Sequence, residues 1–118
     1  MKETPAKILR IYVSNTDTLK HDSLYECLAH MAQENEMQGV TVYKGIMGFG
    51  ASSQLRSTKF WSFTEKVPVT IEIIDESAKI EKFIKIILPL LEKHPKGLLI
   101  TKQDIEIVLS KKGIGKTL

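Results

Sequence analysis

The sequence predicts a single α+β domain with the element order β-α-β-β-α-β, and three observations predict it. Alternating apolar and polar residues mark strands near both ends and in the middle of the 118-residue chain. Two stretches with helical spacing of apolar residues separate those strands. The connection between the second and third strands is about twenty residues long, where a hairpin needs roughly two to five.

Each element follows from local pattern. Residues 7–14 alternate with Leu9, Ile11 and Val13 on one face, as in a half-buried strand. Ser23 followed by Glu26 is a capping box, and it opens a helix whose apolar stripe is Leu24, Cys27, Leu28, Met31 and Met37. Gly39 is expected to stop that helix in the left-handed region. Residues 40–44 form the second strand and 67–75 the third, with Val69, Ile71 and Ile73 inward. Ile80, Phe83, Ile84, Ile87, Leu88 and Leu91 trace the second helix, which Pro89 is expected to kink or end early. Residues 98–109 read as a last strand bent near Lys102 and Gln103.

This order is the ferredoxin-like, or split βαβ, arrangement: a four-stranded antiparallel sheet with two helices on one face. The other face is expected to carry Ile8, Tyr12, Tyr43 and Ile74. It is too apolar to stand in water, which predicts an oligomer that covers it.

Composition bounds the function. Hydrophobic residues at 42% and charged residues at 26% fit a globular domain. No apolar run approaches the ~18 residues of a membrane span; 86–91 is the best and contains Pro89. No signal-peptide core follows the first charges, and the single cysteine, Cys27, rules out an internal disulfide, so a cytoplasmic location is expected. The net charge of +3 is local. Lys44, Arg56 and Lys59 stand in an acid-free segment, 44–64, and Lys111, Lys112 and Lys116 follow the last acid, Glu106. That distribution suits a small anion better than a nucleic-acid track.

The stretch YKGIMGFGASS, residues 43–53, carries the functional expectation. Gly45, Gly48 and Gly50 are not spaced as a dinucleotide fingerprint and lead into a loop, not a helix. One reading is an anion site in which glycine N–H groups converge, with Ser52, Ser53 and Ser57 adding hydroxyls and Lys44, Arg56 and Lys59 adding charge. The other is a bulge or loop base where glycine serves a positive φ. The tail Gly115-Lys116-Thr117 resembles the end of a phosphate-binding loop, but Ser110 stands where that motif needs glycine. A basic tail over 110–118 is the plainer reading. Glu26 and His30 lie one helical turn apart and lack a third metal ligand. Cys27, on the apolar stripe, reads as core. Trp61 and Phe63 read as packing or a subunit contact, and Lys59 to Phe63 alternate as a strand extension would. No nucleophile–base pair is visible, and an enzyme is not expected.

The stretch GVTVYKGIMGFG (39–50), between a helix end and a long loop, resembles the strand and loop base of the PII signalling proteins. It is most similar to a PII-like family of unknown function, as are LRIYVS, LYECLAHMA and PVTIEIID elsewhere in the chain. The resemblance runs from Ile8 to Val108. It implies a homotrimer with ligand clefts between subunits and a mobile loop, about 47–66, that engages a target protein such as a transporter or enzyme through residues 51–66. Apart from the resemblance, the sparse basic charge and the lack of a long apolar run lead to no nucleic acid and no membrane insertion being expected. Thr41, Gly48, Phe49 and Gly50 fall on nucleotide-cleft positions, with one more residue between Val42 and Gly48 than PII has. Departures matter too. The second phosphate loop is replaced by residues 92–97, where Lys93, Lys96 and Gly97 remain, and Leu109 stands near the position of a late basic pair. The resemblance therefore implies an adenine nucleotide such as AMP or ADP rather than a triphosphate. The expected ligand residues are Thr41, Lys44, Gly45, Gly48, Phe49, Gly50, Ser52, Ser53, Arg56 and Lys96. The alternative is an assembly module without a small ligand.

Overall fold

Strand β1 (Ala6–Ser14) pairs antiparallel along its whole length with β7 (Pro68–Glu76), and this pair is the centre of the molecule. The computed structural model describes residues 4–49, 56–57 and 66–114. In chain order, β1 is followed by β2 (Thr18–Leu19), β3 (Asp22–Ser23), α1 (Leu24–Glu34), β4 (Gly39–Lys44), β5 (Met47–Gly48) and β6 (Arg56–Ser57). Then come β7, α2 (Ser77–Glu92) and β8 (Leu99–Ile105). The four long strands form an antiparallel sheet in the order β4-β7-β1-β8. Inserting β7 between β1 and β4 makes the split βαβ arrangement. The α+β, ferredoxin-like class read from the sequence is the fold observed.

Register explains the core. Leu9, Ile11 and Val13 lie opposite Ile73, Ile71 and Val69, so one face of the central pair is continuously aliphatic. Leu24, Leu28 and Ala32 of α1 and Ile80, Phe83, Ile87 and Leu91 of α2 close over it. Each large aliphatic or aromatic side chain among them, fully buried, contributes roughly 1.5–3 kcal/mol. The edge strands share less in this. Val40 and Val42 face the same side on β4, but Val42 remains 39% exposed.

Four local expectations need correction. Ser23 is the N-cap of α1 but makes no side-chain capping bond. It is also the last residue of β3, and the start of α1 is held instead by the Leu24 N–H donating to the Asp17 carbonyl at 2.8 Å. Gly39 does not stop α1. The left-handed residue is Glu36, at φ 58°, and its N–H reaches the Gln33 carbonyl while Met37 N–H reaches that of Ala32, each at 3.0 Å. That is a Schellman closure with a glutamate where glycine is usual. Pro89 does not end α2, which continues to Glu92. Pro89 and Lys85, whose carbonyl loses its donor, both lie on the exposed side, while Ile87 and Leu91 are buried and hold the last turn. The last strand stops at Ile105, opposite Ala6 at the start of β1, because beyond it there is no partner strand.

Two features were not read from the sequence. A hairpin joins β2 to β3 through Lys20 and His21, both at positive φ (51° and 80°), a tight turn made without glycine. The carboxylate of Asp75, 4% exposed, accepts the N–H groups of Gln38 at 2.8 Å and Glu76 at 2.7 Å and lies 3.3 Å from Lys79 Nζ. It joins the segment entering β4 to the start of α2. Lys79 Nζ also donates to the Glu36 carbonyl at 2.5 Å.

The sheet face away from the helices carries Ile8, Tyr12, Tyr43 and Ile74, as the alternation requires. At its middle Arg10 Nε lies 3.0 Å from Glu72 Oε2, and the Tyr43 hydroxyl donates to Glu72 Oε1 at 3.3 Å. On the helix side, Lys102 Nζ lies 2.8 Å from Glu81 Oε2 and Lys7 Nζ 2.8 Å from Asp104 Oδ1. The Lys102 hydrogen bond holds Glu81 below the usual carboxylate range; that of Lys7 does the same for Asp104, and Asp104 in turn raises Lys7.

Two outcomes are expected. Glu36→Gly should stabilise the fold by about 0.5–1 kcal/mol in urea titration, since only the backbone conformation is relieved. The depressed carboxylates contribute stability that is present at neutral pH and lost as pH falls through their lowered folded-state values. Glu81→Gln should therefore lower the thermal midpoint at neutral pH and low salt, and the difference from wild type should vanish in acid and in high salt.

Candidate functional site

The glycine stretch begins where β4 ends. Lys44 is the last residue of β4, opposite Val69, and the chain then turns across Pro68 at the start of β7. Gly45 N–H donates to the Pro68 carbonyl at 2.6 Å. A Cβ on Gly45 would stand 2.7 Å from Pro68 Cγ and 3.2 Å from Pro68 O, and one on Gly48 would stand 3.1 Å from Pro68 Cγ. None of the described glycines has positive φ. The glycine at 45 thus serves close approach of two backbones, not a left-handed turn, and its N–H is already bonded in this conformation.

Past this crossing, Met47 and Gly48 pair with Ser57 and Arg56. The long connection is therefore pinched near its root. Ile46, Met47 and Phe49 are exposed around it, Phe49 to 72%. Gly50, Ser52, Ser53, Lys59, Trp61 and Phe63 lie outside the described residues, as does most of the segment expected to be a mobile loop.

The sequence-predicted ligand residues within the described region fall into four places. Thr41 lies on the open sheet face opposite Glu72, whereas Lys44 lies on the helix-side face. Gly45, Gly48 and Phe49 follow Lys44 around Pro68, and Arg56 is brought opposite Gly48 by the short pairing. Lys96 is exposed just ahead of β8, at the same end of the sheet but the opposite edge. With β7 and β1 between the edge strands, the two edges are three strand spacings, roughly 14 Å, apart. One chain does not bring Lys44 and Lys96 together.

The other candidates sort plainly. Among the described residues no group of three or more His, Cys, Asp or Glu side chains could hold a metal ion, and Glu26 and His30 are both exposed. Cys27 is half-buried at the margin of the core rather than within it. Burial, followed by the nearby charges of Asp22 and Glu26, pushes its thiol pKa up, away from nucleophilic character. No described helix is long and apolar enough to cross a membrane.

A family model, DUF190, described as "Uncharacterized ACR", matches residues 6–107. The chain belongs to the DUF190 family. This DUF190 chain is 32% identical over 108 residues to a UPF0166 protein of Aquifex aeolicus (strain VF5), a match covering 92% of it and 98% of the relative. Its fold is similar to that of CPII from Thiomonas intermedia K12, a nitrogen regulatory PII-like protein solved bound to ADP, AMP and bicarbonate. That likeness has a TM-score of 0.65 at 19% identity and covers 90% and 91% of the two chains. A putative PII-like signalling protein of Thermus thermophilus gives a TM-score of 0.61 at 14% identity over 92% and 94% of the chains. At such identities the structures show the fold, and that fold is PII-like. The resemblance read in the glycine stretch is thus shown at the level of family and fold.

What sequence reasoning missed at the DUF190 loop base is Pro68. The signal was present as a proline opening an otherwise aliphatic strand, but nothing in one sequence says which glycine crosses it. Gly45→Ala should destabilise by about 1–3 kcal/mol in chemical denaturation, while Gly39→Ala, with nothing within 4 Å of the added carbon, should stay near neutral. Adding Pro68→Ala should return much of the loss at position 45. If Gly45→Ala cost no more than Gly39→Ala, the close approach would not be what requires glycine.

Proposed function

We propose that this DUF190 protein is a non-enzymatic, PII-like regulator that binds an adenine nucleotide, AMP or ADP, in clefts between the subunits of a homotrimer. Binding orders the loop over residues 51–66 and alters its affinity for a target protein. The observation that carries this reading is the loop root. A long basic connection, acid-free over residues 44–64, is tethered by the Gly45–Pro68 bond and the short pairing of Gly48 with Arg56. A ligand bridging that root to the loop has a fixed side against which to hold a variable one.

Two further observations support it. Lys44 and Lys96 lie at the same end of the sheet on opposite edges, so a cleft using both belongs between neighbouring subunits. Tyr12, Tyr43 and Leu99 are exposed in one row across the open face, 37%, 51% and 56%, a surface suited to cover by other copies. The regulatory step requires unequal affinity for two loop states, since a ligand bound equally by both shifts nothing. The second reading, an assembly module without a ligand, draws on the same loop root: the fold itself needs a glycine at 45, and the N–H of that glycine is occupied.

Calorimetry against ADP, AMP, ATP, cyclic nucleotides and bicarbonate separates the two. The regulator reading expects saturable binding of AMP or ADP, protection of the loop from proteolysis, and at least about five-fold weaker affinity in Lys44→Ala with the trimer intact. Flat traces for every compound, together with a trimer that dissociates in loop variants, would leave the assembly reading.

A further inference from the structure

His94 follows α2 in the segment that leads to β8, and both ring nitrogens are engaged. Nε2 lies 3.3 Å from the carbonyl oxygen of Thr18 in β2, and the backbone N–H of Lys96 donates to Nδ1 at 3.3 Å. A carbonyl can only accept and an amide N–H can only donate. The two partners together therefore admit one form of the ring: neutral, with its proton on Nε2. The His94 N–H itself donates to the Leu91 carbonyl at 3.1 Å and fixes the residue to the end of α2. The ring thus ties three pieces of chain: the helix end, the β2–β3 hairpin and the turn that carries Lys96.

Protonation removes one of these ties. A second proton on the ring goes to Nδ1, which turns the acceptor of the Lys96 N–H into a donor facing a donor. The bond to Thr18 survives, because Nε2 already carries its hydrogen. The hairpin beside the ring carries Lys20, His21 and Asp22, with the buried Asp17 carboxylate accepting the Ser14 N–H at 2.9 Å. The helix end contributes Glu92 and Lys93, and the turn contributes Lys96. The turn that is released carries Lys96, which is positive, so a cation on the ring gives that turn no new attraction.

We propose that His94 is a proton-operated latch: neutral, it holds the backbone of the turn carrying Lys96 against the hairpin, and protonated it lets that turn go. If the nucleotide site proposed above uses Lys96, its affinity falls in acid through this latch; that consequence rests on the functional reading, whereas the latch rests on the two hydrogen bonds. Nitrogen NMR of the imidazoles and amide exchange of Lys96, followed from about pH 8 to about pH 5, test it. The neutral Nε2–H tautomer is expected at high pH. Corrected for intrinsic rates, protection of the Lys96 amide should fall by about ten-fold or more as His94 takes up its proton. His94→Gln can donate to Thr18 and accept from Lys96 without titrating, so protection should persist to about pH 5 in that variant. A protonated Nδ1 in the neutral ring, or the same pH profile in His94→Gln as in wild type, would overturn the proposal. ADP titrations at both pH values keep the two ideas apart. Affinity that is pH-dependent in wild type and flat in His94→Gln links latch to site, while absent binding removes the function and leaves the exchange data to decide the latch.

Discussion

The antiparallel pairing of β1 with β7 is the constraint on which the rest of the molecule depends. It puts Leu9, Ile11 and Val13 opposite Ile73, Ile71 and Val69, and both helices pack on the surface that results. Because side chains alternate, a slip of one residue would turn that surface outward and bring Arg10 and Glu72 into the core. The same pairing consumes the hydrogen bonds between β1 and β7, while β4 and β8 flank them as edges. Everything proposed for function sits on those edges and at their ends.

Polar groups set how the edges are reached. Asp75 is buried, yet its two oxygens accept backbone donors from Gln38 and Glu76, with Lys79 beside them. A buried carboxylate is tolerated only when so satisfied. Here it defines where the chain leaving α1 enters β4 and where β7 passes into α2. Glu36 in a left-handed conformation completes the same corner. These are devices for delivering β4 to its place beside β7, and hence for delivering the loop root to Pro68.

At that root, close packing and a ligand-binding role make compatible demands. A glycine at 45 is required by the proximity of Pro68, whatever else the segment does. The contact leaves the length of the connection, its basic charge and the absence of acids over 44–64 unaccounted for. A plain hairpin between β4 and β7 would need none of them.

The four long strands, the two helices, their order and the inward faces were legible in the sequence, because each depends on spacing along a few consecutive residues. Leu9, Ile11 and Val13 alternate whether or not β7 exists, and Ile80, Phe83, Ile87 and Leu91 share a helix face by geometry alone. Three of the expectations that failed depended on how an element sits against the rest of the fold. Pro89 is accommodated because its side of α2 faces outward; the last strand ends because β1 ends; α1 closes on Glu36 because Asp75 and Lys79 hold that corner. The candidate site divides in the same way. The basic glycine-rich segment could be seen in the chain, but whether Thr41, Lys44 and Lys96 share one pocket could not. Spacing along the chain sets which way a residue faces, whereas only the packed sheet decides what stands across from it.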